Sequence, residues 1–218
     1  MAALSPDPHS LLARTQAALP AEDQCRAAAL AAAQGSVEDG ATWPYLWPGG
    51  LRLAADLCQL LPAPDPQLLV VDLGCGRGLL GMMALMLGFE RVVFADGDAL
   101  PLSLIEPCLQ PFPQARCQTV VWGEALAGDA ATLILGGDIL YRPTYHPALL
   151  ATIAGSLSAQ GQALLGDPRH GIEADFPAQA ASAGLHCDCE LRPGPYTLCR
   201  LSHQDWDRLA TEGGPRSC

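Results

Sequence analysis

Three glycines at alternate positions, Gly74, Gly76 and Gly78, mark the stretch of this sequence best suited to chemistry. Glycine adopts positive φ angles readily and carries no side chain, so a ligand can lie against its bare backbone. The apolar run 68–71 before the glycines is typical of a strand covered on both faces, and residues 79–87 after them predict a helix. Because the free N–H groups of a helix start point toward a ligand, the stretch predicts a nucleotide-type site.

The spacing of the glycines does not by itself choose the nucleotide. Counted from Gly74, the dinucleotide pattern G-x-G-x-x-G places its third glycine on Leu79 and fails, whereas counted from Gly76 it reaches Gly81. The glycine spacing alone therefore does not exclude NAD as the ligand of this site. The phosphate-loop pattern requires a lysine and is excluded, because the sequence contains none.

A carboxylate is expected about 20 residues beyond such a glycine turn, where it accepts hydrogen bonds from both ribose hydroxyls. Residues 91–95 predict the next strand, and Asp96 follows it directly. Asp96 is therefore the predicted ribose ligand, with Asp98 as the alternative. Asp98 could equally be a solvated turn residue or a helix cap.

The run Asp72-x-Gly74-x-Gly76-x-Gly78 resembles motif I of the seven-strand S-adenosylmethionine-dependent methyltransferases. In that family the glycines lie against the amino-acid and ribose parts of the cofactor. The resemblance implies a Rossmann-like α/β sheet, mostly parallel with a closing antiparallel strand, and with helices on both faces. It also implies S-adenosylmethionine as cofactor, bound by Asp72, Cys75 and the three glycines.

Residues 43–50, here named the aromatic segment, combine two tryptophans and a tyrosine with two prolines. Such a segment either walls a pocket and stacks on a purine or plugs one end of the sheet. Its Trp-Pro-Gly-Gly end is similar to that of the lysine methyltransferases that modify the β-subunit of electron transfer flavoprotein, within methyltransferase family 16. In that group this segment and a later Trp-Gly lie near the cofactor. The resemblance implies that Trp47 and Trp122 bind it, although Trp122 could equally be a core residue.

Asp138 and Tyr141 follow the predicted strand 132–135. Ligands of open α/β sheets bind beyond the carboxyl ends of the strands, so both residues are expected to face the same crevice as Gly76. The pattern Asp-x-x-Tyr resembles the D-x-x-F/Y motif of protein methyltransferases in the same group, in which the acid and the ring face the target side chain. We therefore predict that Asp138 orients the amine and accepts its proton through water, and that Tyr141 walls the methyl-transfer channel.

A second motif of that branch is Gly166-Asp167-Pro168, after the predicted fifth strand. The chain continues with Arg169 and His170, where the branch has Gly-Arg. This departure leaves the substrate contacts of the segment open.

The composition restricts the partners. A net charge of −11 with twelve scattered arginines argues against nucleic acid, and a basic or neutral protein suits an acidic enzyme better. No apolar run approaches the roughly 20 residues of a membrane helix, and the N-terminus does not resemble a signal peptide. We expect a cytoplasmic monomer without a membrane partner.

The nine cysteines are predicted to be free thiols in a reducing compartment. Cys187 and Cys189 would share one face of a strand, but no second pair completes a metal site, so no metal is expected.

We predict three regions along the chain: an N-terminal helical cover over residues 1–42, the methyltransferase domain over 43–203, and a tail over 204–218. The predicted function is transfer of a methyl group to a lysine side chain of a protein, either a flavoprotein subunit or another lysine-bearing protein. The first alternative is methylation of protein histidine or of a small-molecule amine. The second is a non-catalytic cofactor-binding protein that works through a partner.

Overall fold

The computed structural model describes residues 7–33, 42–61, 64–168, 175–194 and 196–203. The strands are β1 Leu69–Leu73, β2 Arg91–Asp96, β3 Arg116–Thr119, β4 Ala131–Gly137, β5 Leu157–Asp167, β6 His186–Arg192 and β7 Tyr196–Ser202. The α-helices are α1 Pro8–Ala18, α2 Glu22–Ala32, α3 Pro48–Leu60, α4 Leu79–Leu87, α5 Ala99–Ile105, α6 His146–Ser156 and α7 Phe176–Ser182. Short 3₁₀ helices lie at Glu106–Leu109 and Pro143–Tyr145.

The seven strands form one sheet in the order β3-β2-β1-β4-β5-β7-β6. Neighbouring strands are parallel except where β7 pairs antiparallel with β5 and with β6. This confirms the predicted mixed sheet with a closing antiparallel strand. From β1, the next two strands are added on one side of the sheet, and β4 and β5 are added on the other side. This reversal of strand order between β1 and β4 opens a crevice at the carboxyl ends of the strands.

The sheet is covered on both faces, as the apolar sequence of β1 predicts. Leu69 and Val71 face α6 and α7, whereas Val70 faces the helices on the opposite side. Because strand residues alternate, Asp72 lies on the same side as Val70, toward the start of α4. The period-2 alternation therefore places a carboxylate beside the turn that follows the strand.

The N-terminal helices share the core of the sheet on the α4 side. Leu11 and Leu19 lie in one apolar cluster with Leu53 and Met83, and the Thr15 hydroxyl is 3.3 Å from the Met83 sulfur. The predicted domain boundaries at residues 42 and 203 stay predictions. The sequence also predicts a loop over 35–41 and a helix over 172–183. That loop, the start of that helix and the tail beyond 203 lie outside the described residues.

Several elements begin or end away from their predicted positions. The sequence predicts strands over 118–121 and 162–165 and a helix over 144–157 with Thr144 as its N-cap. In the structure β3 covers Arg116–Thr119, and β5 begins at Leu157, the last residue of that predicted helix. Leu157 is extended because it pairs with Ala131 across a register irregularity in β4. Helix α6 begins at His146 with a proline in its first turn, so Thr144 is not its N-cap.

The prediction that all cysteines are free thiols is wrong for one pair. Cys189 of β6 lies directly opposite Cys199 of β7, and the two form a disulfide. This pairing depends on strand register, which the spacing of the cysteines does not reveal. Among the described residues, no helix is both long and apolar enough to cross a membrane.

Candidate active site

A cavity of about 700 Å³ lies beyond the carboxyl ends of β1, β2 and β4. Its walls come from the aromatic segment, from the residues following β1 and β2, and from residues 137–145 after β4. The strands are short and buried, so they hold these loops at a common edge of the sheet. The cavity therefore forms where the reversal of strand order predicts a ligand site.

The turn after β1, residues 74–78, is here named the glycine loop. Gly74, Gly76 and Gly78 have φ angles of 64°, 50° and 83°, values that favour glycine. A Cβ at Gly74 would lie 2.7 Å from the Ile139 side chain, and one at Gly76 would lie 3.3 Å from the Trp43 carbonyl oxygen. Gly74 and Gly76 line the cavity, and a side chain at either would disturb its walls.

Gly78 has a different position from the other two glycines. It begins α4, and a Cβ there would meet the Phe94 ring at 3.0 Å and Ile105 at 3.1 Å. These contacts face the core of the sheet, and Gly78 is not among the residues that line the cavity. The structure thus gives Gly78 a packing role in the loop.

Asp72 secures the helix that follows the glycine loop. Its Oδ2 accepts a hydrogen bond of 2.8 Å from the Gly81 N–H, in the first turn of α4. Burial raises the pKa of the Asp72 carboxyl to about 8, against the lowering effect of the backbone hydrogen bonds from Gly81 and Leu80. Asp72 borders the cavity while holding the start of α4 in place.

Asp96 connects the end of β2 to the glycine loop. Its Oδ2 accepts from the Gly76 N–H at 2.9 Å, and its Oδ1 accepts from the Asp98 N–H at 3.0 Å. Burial raises the pKa of the Asp96 carboxyl above its usual value. Asp98 is exposed and caps α5 by accepting from the Leu100 N–H, so Asp96 is the acid that touches the loop.

Cys75 joins the same loop to β2 through its backbone. Its N–H donates to the Ala95 carbonyl at 3.0 Å, and its carbonyl accepts from Gly78 at 2.7 Å. Its side chain is buried, and burial raises the pKa of the thiol well above the usual range. The thiol therefore stays protonated and unreactive at neutral pH.

The aromatic segment forms one wall of the cavity. Trp47 is 45% exposed at the rim, and its indole N–H donates to the Thr42 carbonyl at 2.9 Å. The Tyr45 ring packs edge-on against it with centroids 6.2 Å apart. Trp43 is buried against Gly76, while half-buried Trp122 reaches within 3.6 Å of the position of a Cβ at Gly74. Tryptophans thus flank the glycine loop on two sides.

Asp138 lines the same cavity as the glycine loop and has the one positive φ, 56°, of any described non-glycine residue. Its N–H donates to the Gly166 carbonyl at 2.8 Å, and its Oδ2 accepts from the Gly50 N–H at 2.6 Å. The carboxylate therefore binds the start of α3 and borders the cavity at the same time. The Trp-Pro-Gly-Gly turn and the acid after β4 are joined by this contact.

Tyr141 stands at the mouth of the cavity with 47% of its surface exposed. The Arg142 guanidinium lies 5.6 Å from the Tyr141 ring centroid and 5.6 Å from that of Tyr145. Behind them, buried His146 donates from Nε2 to the Leu140 carbonyl at 2.9 Å, because a carbonyl can only accept. His146 thus holds the backbone between Asp138 and Tyr141.

Sequence reasoning did not single out several residues of this site. These are Trp43, Arg77, Arg142, Tyr145 and His146. Tyr141 and Tyr145 are brought together by Arg142, whose guanidinium lies 5.6 Å from both ring centroids, and the sequence gives no sign of this contact. Asp167 lines the cavity and is fully buried, whereas Arg169 and His170 lie outside the described residues.

No protein-family model matches the chain. A segment of 92 residues is 36% identical to the protein N-lysine methyltransferase METTL21A of Danio rerio, covering 38% of this chain and 42% of that protein. The METTL21A of Mus musculus is 32% identical over 102 residues, covering 44% of this chain and 46% of that protein. The matched segments span less than half the length of these relatives.

Solved structures share the fold over most of the chain. A TehB-like S-adenosylmethionine-dependent methyltransferase from Corynebacterium glutamicum has a TM-score of 0.56 at 20% identity, covering 88% of this chain and 99% of that one. Magnesium protoporphyrin IX methyltransferase from Synechocystis, solved with bound S-adenosylhomocysteine, has a TM-score of 0.56 at 15% identity, covering 72% and 84%. The fold is that of the S-adenosylmethionine-dependent methyltransferases. Membership of family 16 and of its flavoprotein-modifying branch stays a prediction.

Proposed function

We propose that this chain binds S-adenosylmethionine and transfers its methyl group to a lysine side chain of a protein. One observation carries the proposal: the glycine loop with Asp96 and the pair Asp138 and Tyr141 border the same cavity of about 700 Å³. The first group suits the cofactor and the second suits the acceptor. Methyl transfer is a displacement in line, so it requires donor and acceptor sites that share one enclosed space.

The residues present fit an adenosyl cofactor. A volume of about 700 Å³ falls in the range of roughly 300–1,000 Å³ that small ligands occupy. The Asp96 carboxylate already accepts backbone N–H bonds and has lone pairs for ribose hydroxyls. Trp47 and Trp122 offer ring faces for a purine. When bound, the cofactor supplies an activated methyl group on a cationic sulfur.

The acceptor side of the cavity suits an amine. A lysine has a pKa of about 10.4 and must lose its proton before it can attack a methyl group. Aromatic walls and a neighbouring positive charge both favour the neutral amine. Asp138 orients the amine and takes its proton through water, while Tyr141 narrows the opening to a single extended side chain.

Two further observations support a protein as the substrate. The matched relatives are named protein N-lysine methyltransferases, although the match covers less than half of each. The net charge of −11 favours encounter with a basic surface. A flavoprotein subunit is one candidate substrate, by the resemblance of the Trp-Pro-Gly-Gly turn. We also propose that the protein acts as a cytoplasmic monomer.

The test is incubation of the purified protein with a cell lysate and S-adenosylmethionine labelled in the methyl group, followed by identification of the labelled side chain. We expect label on lysine with the wild type and with Asp129→Asn, a surface acid that pairs with Arg91. We expect almost none with Asp138→Asn. Label on histidine or on a small amine would replace the lysine proposal with that alternative. Cofactor binding without label in any fraction would support the non-catalytic alternative.

A further inference from the structure

Three cysteine sulfurs lie together at the far edge of the sheet, and we name Cys187, Cys189 and Cys199 the sulfur trio. Cys187 and Cys189 alternate along β6 and share one face, while Cys199 of β7 is the direct partner of Cys189. The three Sγ atoms all lie within 4.8 Å of one another, and those of Cys187 and Cys189 are 3.6 Å apart. Strand register therefore adds the third ligand that the spacing Cys-x-Cys lacks.

The sulfur trio is separate from the cavity described above. It lies on the face of the sheet covered by α6 and α7, and none of its members lines the cavity. Cys199 is fully buried, whereas Cys187 and Cys189 are half-buried and pack against the same apolar cluster. Strand β6 is the last strand of the sheet, so the trio is within reach of solvent from its outer edge.

We propose that, once the Cys189–Cys199 disulfide is reduced, the sulfur trio binds one thiophilic metal ion of the zinc class through three thiolates. Zinc–sulfur bonds of about 2.3 Å in tetrahedral geometry place thiolates about 3.8 Å apart, close to the separation of Cys187 and Cys189. Three thiolates without a nitrogen or oxygen ligand select soft ions.

The chemistry balances in two steps. A phosphine or dithiol gives two electrons to the disulfide, which takes up two protons and yields the thiols of Cys189 and Cys199. The three thiols then lose three protons to the buffer as they bind one divalent ion. Binding is therefore expected to weaken as the pH falls.

The test is titration of the phosphine-reduced, desalted protein with Cd²⁺, following the ultraviolet sulfur-to-cadmium charge-transfer band. Cys187→Ser removes one ligand and keeps Cys189 and Cys199, so the reduced variant differs from the reduced wild type by a single thiol. The matched control is Cys117→Ser, because Cys117 is likewise a half-buried cysteine outside the disulfide. We expect one tight Cd²⁺ per chain in the wild type and the control. Cys187→Ser is expected to bind Cd²⁺ at least about 10- to 100-fold more weakly. Mutating a residue that only supports a metal ligand already costs that much, and this variant loses a ligand itself.

A second readout is thermal stability. Cd²⁺ is expected to raise the Tm of the reduced wild type and of Cys117→Ser, because an ion that binds the folded state stabilises it, and to raise the Tm of Cys187→Ser by less at the same Cd²⁺ concentration. Equal affinity of the wild type and Cys187→Ser would overturn the proposal, as would loss of binding in Cys117→Ser. The proposal would also be overturned if the reduced protein bound no Cd²⁺, or if a peptide map of the unreduced protein showed a Cys187–Cys189 disulfide instead of Cys189–Cys199.

Discussion

The Asp138 carboxylate accepts a hydrogen bond from the Gly50 N–H and also borders the cavity. A substitution at Asp138 can therefore change the stability of the fold, the rate of methyl transfer, or both. Asp138→Asn keeps an oxygen acceptor for the Gly50 N–H and a residue type that tolerates a φ of 56°. We expect its free energy of unfolding to stay within about 0.5 kcal/mol of the wild type. Methyl transfer is expected to fall by about 100-fold or more if Asp138 is the proton acceptor, as proposed above, because an amide does not take up the proton.

Asp138→Ala is the matched comparison, since it removes the acceptor as well. It leaves the Gly50 N–H at the start of α3 without its partner and is expected to lower the free energy of unfolding by about 1–2 kcal/mol. Urea unfolding and initial rates with labelled cofactor measure both effects. Full activity in Asp138→Asn would remove Asp138 from the mechanism.

Asp72 makes stability depend on pH in a direction opposite to that of most acids. Burial raises the pKa of its carboxyl to about 8 in the folded state, whereas an unfolded aspartate titrates near 4. Between these values the folded state holds a proton that the unfolded state has lost. The stability that the fold gains from protonated Asp72 is therefore complete below about pH 4, and it is lost as the pH rises through about 8.

Asp72→Asn tests this dependence, because its amide oxygen still accepts from the Gly81 N–H and it carries no charge. We expect the free energy of unfolding of Asp72→Asn, relative to that of the wild type, to increase from about pH 4 to about pH 8 and to stay constant at higher pH. Urea unfolding at a series of pH values measures the difference. A lead that is independent of pH would contradict the raised pKa, and Asp129→Asn serves as the exposed control.

Individual residues were predictable where the reasons are local. The positive φ angles of Gly74 and Gly76 follow from a turn that must reverse within a few residues, and Asp96 follows from the end of its strand. The contact between Asp138 and Gly50 joins residues 88 positions apart, and the burial of Trp43 depends on a packed neighbour. Such contacts exist only once the chain is folded.

Arg77 ties two elements together, the glycine loop and the N-terminal helices. It is buried, its Nη2 donates to the Pro20 carbonyl at 2.8 Å, and its Nη1 pairs with Glu22 at 3.3 Å. Arg77→Met keeps the apolar stem but leaves the buried Pro20 carbonyl without this donor. We expect a loss of about 1–3 kcal/mol in unfolding free energy.

The matched control for Arg77→Met is Arg26→Met, an exposed arginine on α2. Urea unfolding measures the loss, and limited proteolysis shows whether α1 and α2 are cleaved first. We expect faster cleavage near the α1–α2 junction in Arg77→Met only. Identical proteolysis of both variants would mean that the helices are held by their apolar contacts alone.

Helix α4 shows which elements a sequence defines well. Glycines in the left-handed conformation stand at both of its ends, and it spans the predicted residues without a shift. Strands β3 and β5 were misplaced because a strand ends where its neighbour stops pairing. The ends of a strand are therefore determined by its partner strand, and the residues of the strand itself do not reveal them.

At the scale of the whole molecule, a cofactor that binds the folded state must stabilise it. S-adenosylmethionine at about 100 times its Kd is expected to add about 2.7 kcal/mol to the free energy of unfolding and to raise the Tm. Gly76→Val and Asp96→Ala are expected to abolish both this shift and the heat of binding in calorimetry. In Gly76→Val a side chain meets the Trp43 carbonyl at a φ of 50°. An unchanged affinity in both variants would contradict the placement of the cofactor.

The position of β7 has a consequence for how the chain can be made. β7 follows all other described strands in the sequence, yet it lies inside the sheet, between β5 and β6. During synthesis on a ribosome, β6 therefore emerges with no place to dock, and β5 presents an open row of backbone groups. A chain that ends at Arg192 contains every residue that lines the cavity, but it lacks the strand that covers β5 and is expected to pair with other such chains edge to edge. Completion of β7, rather than of the loops around the cavity, is then the step that removes the open strand edge and protects the new chain from aggregation.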